Sequence, residues 1–444
     1  MPRDARRAHN RGLTMGMPSS LHNRGFEMSM PSTLPDRRPD SVPLRLAIFC
    51  RVVDNYGDAG VCWRLARQLA MEHRMPVDLW IDRPQILAAI APVRGPGPAE
   101  GVTVRAWHDA AGLDGGEQVV VSAFGCELPP PVRRRLAAPG APLWVNLEYL
   151  SAEDWVDGCH GLASTRPADG AIEHFFYPGF GEATGGLLRE AGLLADRDRF
   201  LAQGGPQRWL EDRGLAPTPG PRTASLFCYP DAPVEAWLGL LAAGSAPWQV
   251  LVPEGTADAA VSAFLGGPLA AGGTARRGAL TLHRFELLPQ EEYDRLLWSC
   301  DLNFVRGEDS WVRAHWAGRP FVWQPYPQDA QTRRTKLDAF LARFAQQAGT
   351  IDEAAELMRA WGPVSTDDLE APQERAPSEG APSREAPCRK AQPAPAPGLP
   401  VARAWPRFEA ALPRMEGAYR RWTGHLAAQD DLATRLLAFC RDRL

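Results

Sequence analysis

Lysine is almost missing from this 444-residue chain: it stands only at Lys336 and Lys390, and arginine supplies the rest of the 49 basic residues. Since Ala, Gly and Pro are also abundant, the arginine excess reads as coding bias rather than as an arginine-specific role. Acidic residues number 53 and the formal net charge is −4, so the molecule as a whole offers no broad attraction for nucleic acid or an anionic membrane. Paired cysteines are missing as well. Cys50, Cys62, Cys126, Cys159, Cys228, Cys300, Cys388 and Cys440 form no CxxC motif and sit mostly in apolar runs, which predicts buried reduced thiols rather than a disulfide frame or zinc site. No apolar run reaches the roughly 18 residues that cross a bilayer. The N-terminus carries arginines without an apolar signal core, so the expected location is the cytoplasm.

Several catalytic signatures are also lacking. HExxH, GxSxG and GxxxxGK[ST] do not occur, which removes the zinc-protease, serine-hydrolase and P-loop readings. The first strand–helix turn has no GxGxxG, which disfavours a dinucleotide oxidoreductase. His108, His174 and His315 are isolated and read as core or surface residues, so no metal site is expected.

What is present is a strand–helix alternation, twice over. LRLAIFC, VDLWID, TVRAW, QVVVSAF and PLWVNLEYL read as buried strands, with VCWRLARQLAMEH, RPQILAAIA and PPVRRRLAA as helices between them. After an irregular stretch near residues 178–220 the alternation restarts with TASLFCYP. WQVLVP, ALTLHRFEL, DLNFV and PFVWQP follow as strands, and VEAWLGLLAA, QEEYDRLLWSC and SWVRAHWAG as helices. Such alternation predicts parallel, doubly wound sheets in two Rossmann-like domains, 44–215 and 216–362, facing across a cleft. Residues 1–43 read as a disordered extension and the Pro/Ala-rich residues 363–404 as a disordered insertion. Residues 405–444 read as helices that pack back on the body through Trp405, Phe408, Tyr419, Trp422 and Leu426.

Ligands of open α/β sheets bind beyond the carboxyl ends of strands, so loops after strands are the candidate sites. The first is RVVDNYGDAG, residues 51–60. Asp54 and Asp58 flank Gly57, and two carboxylates in a tight turn can hold a cationic nucleophile and accept a proton. Asp58 as a helix cap and Asp54 as an Asx-turn residue explain the same pattern. The second is Arg306-Gly307-Glu308-Asp309-Ser310, where a strand runs into a helix whose free N–H groups favour a diphosphate. Arg306 and Ser310 would add polar contacts, although Asp309 or Ser310 could equally cap the helix. The third is aromatic: Phe227 and Tyr229 end a strand, and Tyr293 follows Gln290 in a helix, giving flat faces and an amide for a nucleobase, or simply core.

These blocks, with NLEYLSAEDWV, FFYPGF and RTKLDAFL, resemble the bacterial protein-arginine rhamnosyltransferases that modify elongation factor P, the EarP family. The resemblance runs from about Arg45 to Phe344 and through the C-terminal helices. It implies a GT-B fold with an N-terminal acceptor domain, a C-terminal donor domain and a last helix crossing back to the first. It also implies dTDP-β-L-rhamnose as donor, inversion at the anomeric carbon and no metal. The implied acceptor is an arginine of elongation factor P, activated for rescue of polyproline-stalled ribosomes, with no nucleic acid or membrane partner. By position, the resemblance makes Asp58 the general base, with Asp54 and Glu308 as further essential acids. It sets Asn55, Tyr56, Gly57, Phe227, Tyr229, Gln290, Tyr293, Arg306, Gly307, Asp309 and Ser310 around the donor. Tyr293 and Leu287 stand where phenylalanines are expected. The competing readings are a GT-B transferase with another acceptor and a non-catalytic nucleotide-sugar-binding regulator.

Overall fold

Runs such as LAIFC and VVVSA are buried along their whole length, as strands of a parallel sheet covered on both faces must be. The computed structural model describes residues 44–54, 56–91, 100–113, 115–215, 220–362 and 399–444, all within one compact unit. Its first sheet contains β1 (Leu46–Cys50), β2 (Val77–Ile81), β3 (Val102–Ala106), β4 (Val119–Ala123), β5 (Leu143–Leu147), β6 (Ala163–Thr165) and β7 (Ile172–Phe176). They lie in the order 3-2-1-4-5-7-6, parallel except for the β6–β7 pair. The helices of this half are α1 (Tyr56–Glu72), α2 (Pro84–Ile90), α3 (Pro130–Leu136) and α4 (Trp155–Cys159).

Two helices, α5 (Leu193–Ala202) and α6 (Gly205–Asp212), lead to the second sheet. This corrects the expectation of an irregular stretch near 178–220. Helix α5 is short, and Leu193, Leu194, Phe200 and Leu201 pack against the core only in part, none of its residues being fully buried, while Gly204 in a left-handed conformation separates it from α6. The second sheet holds β8 (Arg222–Leu226), β9 (Trp248–Pro253), β10 (Thr274–Arg277), β11 (Leu280–Phe285), β12 (Leu302–Arg306) and β13 (Phe321–Gln324), ordered 10-11-9-8-12-13. Only the β10–β11 pair is antiparallel. Around it pack α7 (Val234–Ala243), α8 (Asp258–Leu265), α9 (Gln290–Ser299), α10 (Asp309–Ala317), α11 (Ala330–Ala348) and α12 (Asp352–Ala360).

The tail is α13 (Leu399–Ala427) and α14 (Leu432–Arg441). Helix therefore starts at Leu399, within the segment read as insertion to residue 404. Val401 and Ala404 are already buried, so burial on the body extends the helix beyond the Pro-rich composition. Residues 1–43 and the rest of that segment lie outside the described residues. Trp405, Phe408, Tyr419, Trp422 and Leu426 are all buried; Trp405 meets Trp237 and Trp248, Tyr419 meets Phe321, and Trp422 meets both Phe344 and Phe180. The chain then returns to the first half. Phe439 stacks edge-on against Phe176 of β7 at 5.4 Å, and Gln68 of α1 donates to Asp431 at 2.9 Å. Cys50, Cys62, Cys228, Cys300 and Cys440 are buried free thiols, Cys126 and Cys159 are half-buried, and Cys388 lies outside the described residues. Among the described residues no helix is long and apolar enough to cross a membrane.

In each sheet the strand order reverses beside the first strand, between β1 and β4 and between β8 and β12. Such switch points open a crevice at the carboxyl ends of the strands. The acidic loop follows β1, Phe227 and Tyr229 follow β8, and Arg306 ends β12 with Gly307–Ser310 after it, so these residues stand at the switch points. Gln290 and Tyr293 come from α9, after β11.

Candidate active site

The acidic loop is closed by its own second carboxylate. Asp58, in the first turn of α1, is buried and accepts with Oδ2 from the backbone N–H of Val53 at 2.7 Å and of Asp54 at 2.9 Å. Asp58 therefore does not cap the helix: its Oδ2 clasps the loop before α1, and Oδ1 is left over. Burial pushes the Asp58 carboxyl up, the two amides oppose that, and Asp54 and Asp82 add to it. A buried carboxylate with raised basicity suits proton acceptance.

Asp54 reaches across to the second half, where Oδ2 accepts from the Tyr229 hydroxyl at 2.6 Å. Gly307 makes this approach possible. Its φ of +56° favours glycine, and a Cβ there would stand 2.6 Å from Tyr229 Oη and 2.7 Å from Asp54 Oδ2. The Tyr229 ring also covers one face of the Arg306 guanidinium at 4.5 Å, while Phe227 covers another at 4.5 Å. Both aromatic residues follow β8 rather than ending it, since the strand stops at Leu226. Tyr229 leaves the ladder because its N–H is taken by the Gln324 side chain, at 2.8 Å.

Glu308 precedes α10 and accepts with Oε2 from Leu150 N–H at 3.1 Å, a second tie between the halves. Burial raises its carboxyl from an ordinary 4.5 to about 8; the Leu150 amide opposes this, and the charges of Asp58 and Asp309 reinforce it. The folded form thus keeps its proton to higher pH than the unfolded chain, and stability falls as pH rises from about 5 to about 8. Glu308→Gln keeps an acceptor for Leu150 and removes the titration. Its melting temperature relative to wild type is expected to climb across that window and level off above it, as thermal melts at stepped pH will show; a constant difference would contradict this.

Two adjoining cavities result. One lies on the side of the second sheet. Tyr56, Phe227, Gln290, Tyr293, Arg306, Asp309 and Ser310 line it, with an apolar wall of Ile90, Phe285, Leu287 and Leu288. The other is lined by Asp58, Phe124, Tyr149, Leu150, Trp323, Tyr326 and Lys336. Asp54, Gly57 and Glu308 line both, so the cavities meet at the acidic groups.

Of the expected site residues, Asn55 lies outside the described residues, and all the others border one or both cavities except Tyr229, which sits behind Asp54 and Arg306. Two hydroxyls and one carboxylate are used differently from expectation. The Ser310 hydroxyl closes its own loop, accepting from Arg306 N–H at 3.0 Å and donating to the Arg306 carbonyl. The Tyr293 hydroxyl is buried and makes no hydrogen bond. Asp309 neither caps α10 nor has a free oxygen: Oδ1 accepts from Arg64 at 3.0 Å, and Oδ2 from Gln290 at 3.0 Å and Arg313 at 3.2 Å.

Residues 46–441 match the family described as elongation-factor P (EF-P) rhamnosyltransferase EarP. The chain belongs to the EarP family. A protein-arginine rhamnosyltransferase of Pseudomonas putida is 42% identical over 405 residues, covering 89% of this chain and 98% of its own. Another, from Pseudomonas aeruginosa, is 42% identical over 408 residues, covering 89% and 99%. A solved structure that gives the structural basis for EarP-mediated arginine glycosylation of translation elongation factor EF-P aligns with a TM-score of 0.57 at 31% identity, covering 90% of this chain and 99% of that one. The two facing Rossmann-like sheets with a returning tail are accordingly a GT-B glycosyltransferase of the EarP type.

Two groups of residues at or beside these cavities escaped the sequence reading. Phe124 and Tyr149 stack at 4.5 Å on the wall of the second cavity, Phe124 with a left-handed φ of 59°. Both follow strands at the switch-point end, where a search of loops after β4 and β5 would have found them. Arg64 is fully buried in α1, held by Glu190 at 2.7 and 2.8 Å. Its signal was Arg64 and Gln68 at four-residue spacing, on a helix most of whose residues are buried.

Proposed function

We propose that this protein transfers L-rhamnose from dTDP-β-L-rhamnose to an arginine side chain of elongation factor P, inverting the anomeric carbon and using no metal. The observation that carries it is the meeting of a cavity walled by apolar and aromatic side chains and Arg306 with an acidic, aromatic-walled cavity at Asp54 and Glu308. The first cavity takes the donor. Its apolar wall and the Phe227 and Tyr293 rings suit a thymine, and Arg306 with the start of α10 suits a diphosphate. The second takes the guanidinium, which Asp54 and Asp58 attract and Tyr149 and Tyr326 flank.

A protonated guanidinium is a poor nucleophile, because its charge is delocalised and its pKa exceeds about 12. The carboxylates hold one nitrogen toward the sugar and disturb the planar system. As that nitrogen bonds to the anomeric carbon, the carbon–oxygen bond to the diphosphate breaks and dTDP leaves with the electron pair. One guanidinium proton passes to Asp58. Arg306 and the α10 amides stabilise the charge on the leaving diphosphate.

Turnover in a defined mixture tests this reading. With dTDP-rhamnose and elongation factor P together, free dTDP should accumulate in step with acceptor. Release that ignores the acceptor, or none with an active donor, contradicts it; the latter is what a binding regulator would give.

A further inference from the structure

Helix α1 turns one row of residues toward the second half: Gly60, then Arg64 one turn on, then Arg67. Gly60 makes a close approach, since a Cβ there would stand 2.6 Å from Gln290 Nε2 and 3.0 Å from Asp309 Oδ2. The Arg64 side chain has no exposed surface. Its Nη1 donates to Asp309 Oδ1 at 3.0 Å, and its Nε and Nη2 donate to the two Glu190 oxygens at 2.7 and 2.8 Å. Arg67 adds a bond to Glu291 of α9 at 2.9 Å, at the surface.

One guanidinium thus joins three parts of the chain. They are the helix that carries Asp58, the connection between the halves at Glu190, and the start of α10 beside Arg306 and Glu308. Burial pushes both carboxyls up, but arginine charge outweighs it. Arg64 holds Glu190 down to about 2, and Arg313 with Arg64 holds Asp309 below its usual range. All three groups are therefore ionised at neutral pH. Two other ties cross between the halves at the cavities, from Tyr229 to Asp54 and from Leu150 to Glu308. Both end on carboxylates that line the cavities, where arriving substrates compete for them. Arg64 borders neither cavity, so its tie survives occupancy of the site.

We propose that Arg64 is a positioning residue for the transfer step: by fastening α1 to the start of α10, it fixes the distance between Asp58 on the first half and the diphosphate site at Arg306 on the second. The inference rests on the transfer reading above and adds to it the group that sets the spacing. Transfer needs the acceptor nitrogen and the anomeric carbon in near contact, and they are held by different halves. A misplacement of about 1 Å caused far from the chemistry can lower a rate by roughly 10²-fold.

The test is the single-turnover rate of transfer at saturating donor, set beside the dTDP dissociation constant and the melting temperature of the same preparation. Arg64→Met combined with Glu190→Met removes one charge of each sign and leaves Asp309 its bonds from Gln290 and Arg313. Exchange of a buried ion pair for apolar side chains of similar volume commonly leaves stability intact. The double variant should melt and bind dTDP like wild type and transfer about 10- to 100-fold more slowly. Arg64→Lys keeps the charge, but a single ammonium cannot span Glu190 and Asp309 as the fork does. Its rate should fall between the two, again with dTDP affinity kept. If Arg64 served only the fold, rate would follow melting temperature, and the double variant would transfer like wild type. That result overturns the inference, as does a loss of dTDP affinity in step with rate. Should the double variant not fold, Arg64→Lys decides, and a wild-type rate in it overturns the inference. A wild type that moves no sugar overturns the transfer reading and this inference with it.

Discussion

Asp58→Asn is expected to lower the rate of rhamnosyl transfer by about 10²–10⁴-fold, the usual contribution of a general base, with dTDP affinity within about twofold of wild type. The separation follows from geometry. Oδ2 of Asp58 accepts the Val53 and Asp54 amides, and the asparagine carbonyl can accept the same two bonds. The loop is thus kept, and with it Asp54 and its bond to Tyr229. What is lost is the second oxygen as a proton acceptor, replaced by an NH₂ group that also repels a guanidinium. Asp58 borders the second cavity and not the nucleotide cavity, so the donor should not register the change. Steady-state rates beside a dTDP titration on the same preparation decide it. A variant that turns over normally removes Asp58 from the chemistry, and one that loses dTDP binding in parallel makes it a residue of the fold.

Arg306→Met should weaken dTDP by about 10- to 150-fold, corresponding to the roughly 1.5–3 kcal/mol of a hydrogen bond to a charged group. The guanidinium lies between the Phe227 and Tyr229 faces and donates to the Cys228 carbonyl at 3.2 Å, so its position is set before any ligand arrives. Methionine fills the slot between the rings and removes the charge. Arg306→Lys should recover only part of the loss, because an ammonium lacks the planar fork that both stacks and bridges phosphate oxygens. The donor KM and the dTDP dissociation constant should rise together; a variant that keeps both refutes a diphosphate role for Arg306.

The sequence displayed the sheets better than it displayed the site. Continuous apolar runs identify β1, β4 and β9 because parallel strands are buried on both faces. The antiparallel edges β6 and β10 and the half-buried helix α5 carry no such continuous run, and they were not foreseen. Loop residues could be placed in the cleft because position after a strand decides which end they occupy. The partners that join the two halves could not, since each comes from the far part of the chain. Tyr229 pairs with Asp54 over a separation of 175 residues and Arg64 with Asp309 over 245. Sequence pattern reports local periodicity, and these contacts exist only once two domains close. Asp309 shows the consequence: read alone it is a cap or a ligand contact, and in place it is a bridge between α1 and α10.

The measurement that bears most directly on the account is the intact mass of elongation factor P after incubation with this protein and dTDP-rhamnose, followed by fragmentation to locate any addition. A gain of one deoxyhexosyl residue on a single arginine, absent with the Asp58→Asn variant, is the predicted result. An unmodified acceptor alongside a donor of proven activity, or sugar attached to another residue type, would contradict transfer to a guanidinium at the junction of the two cavities.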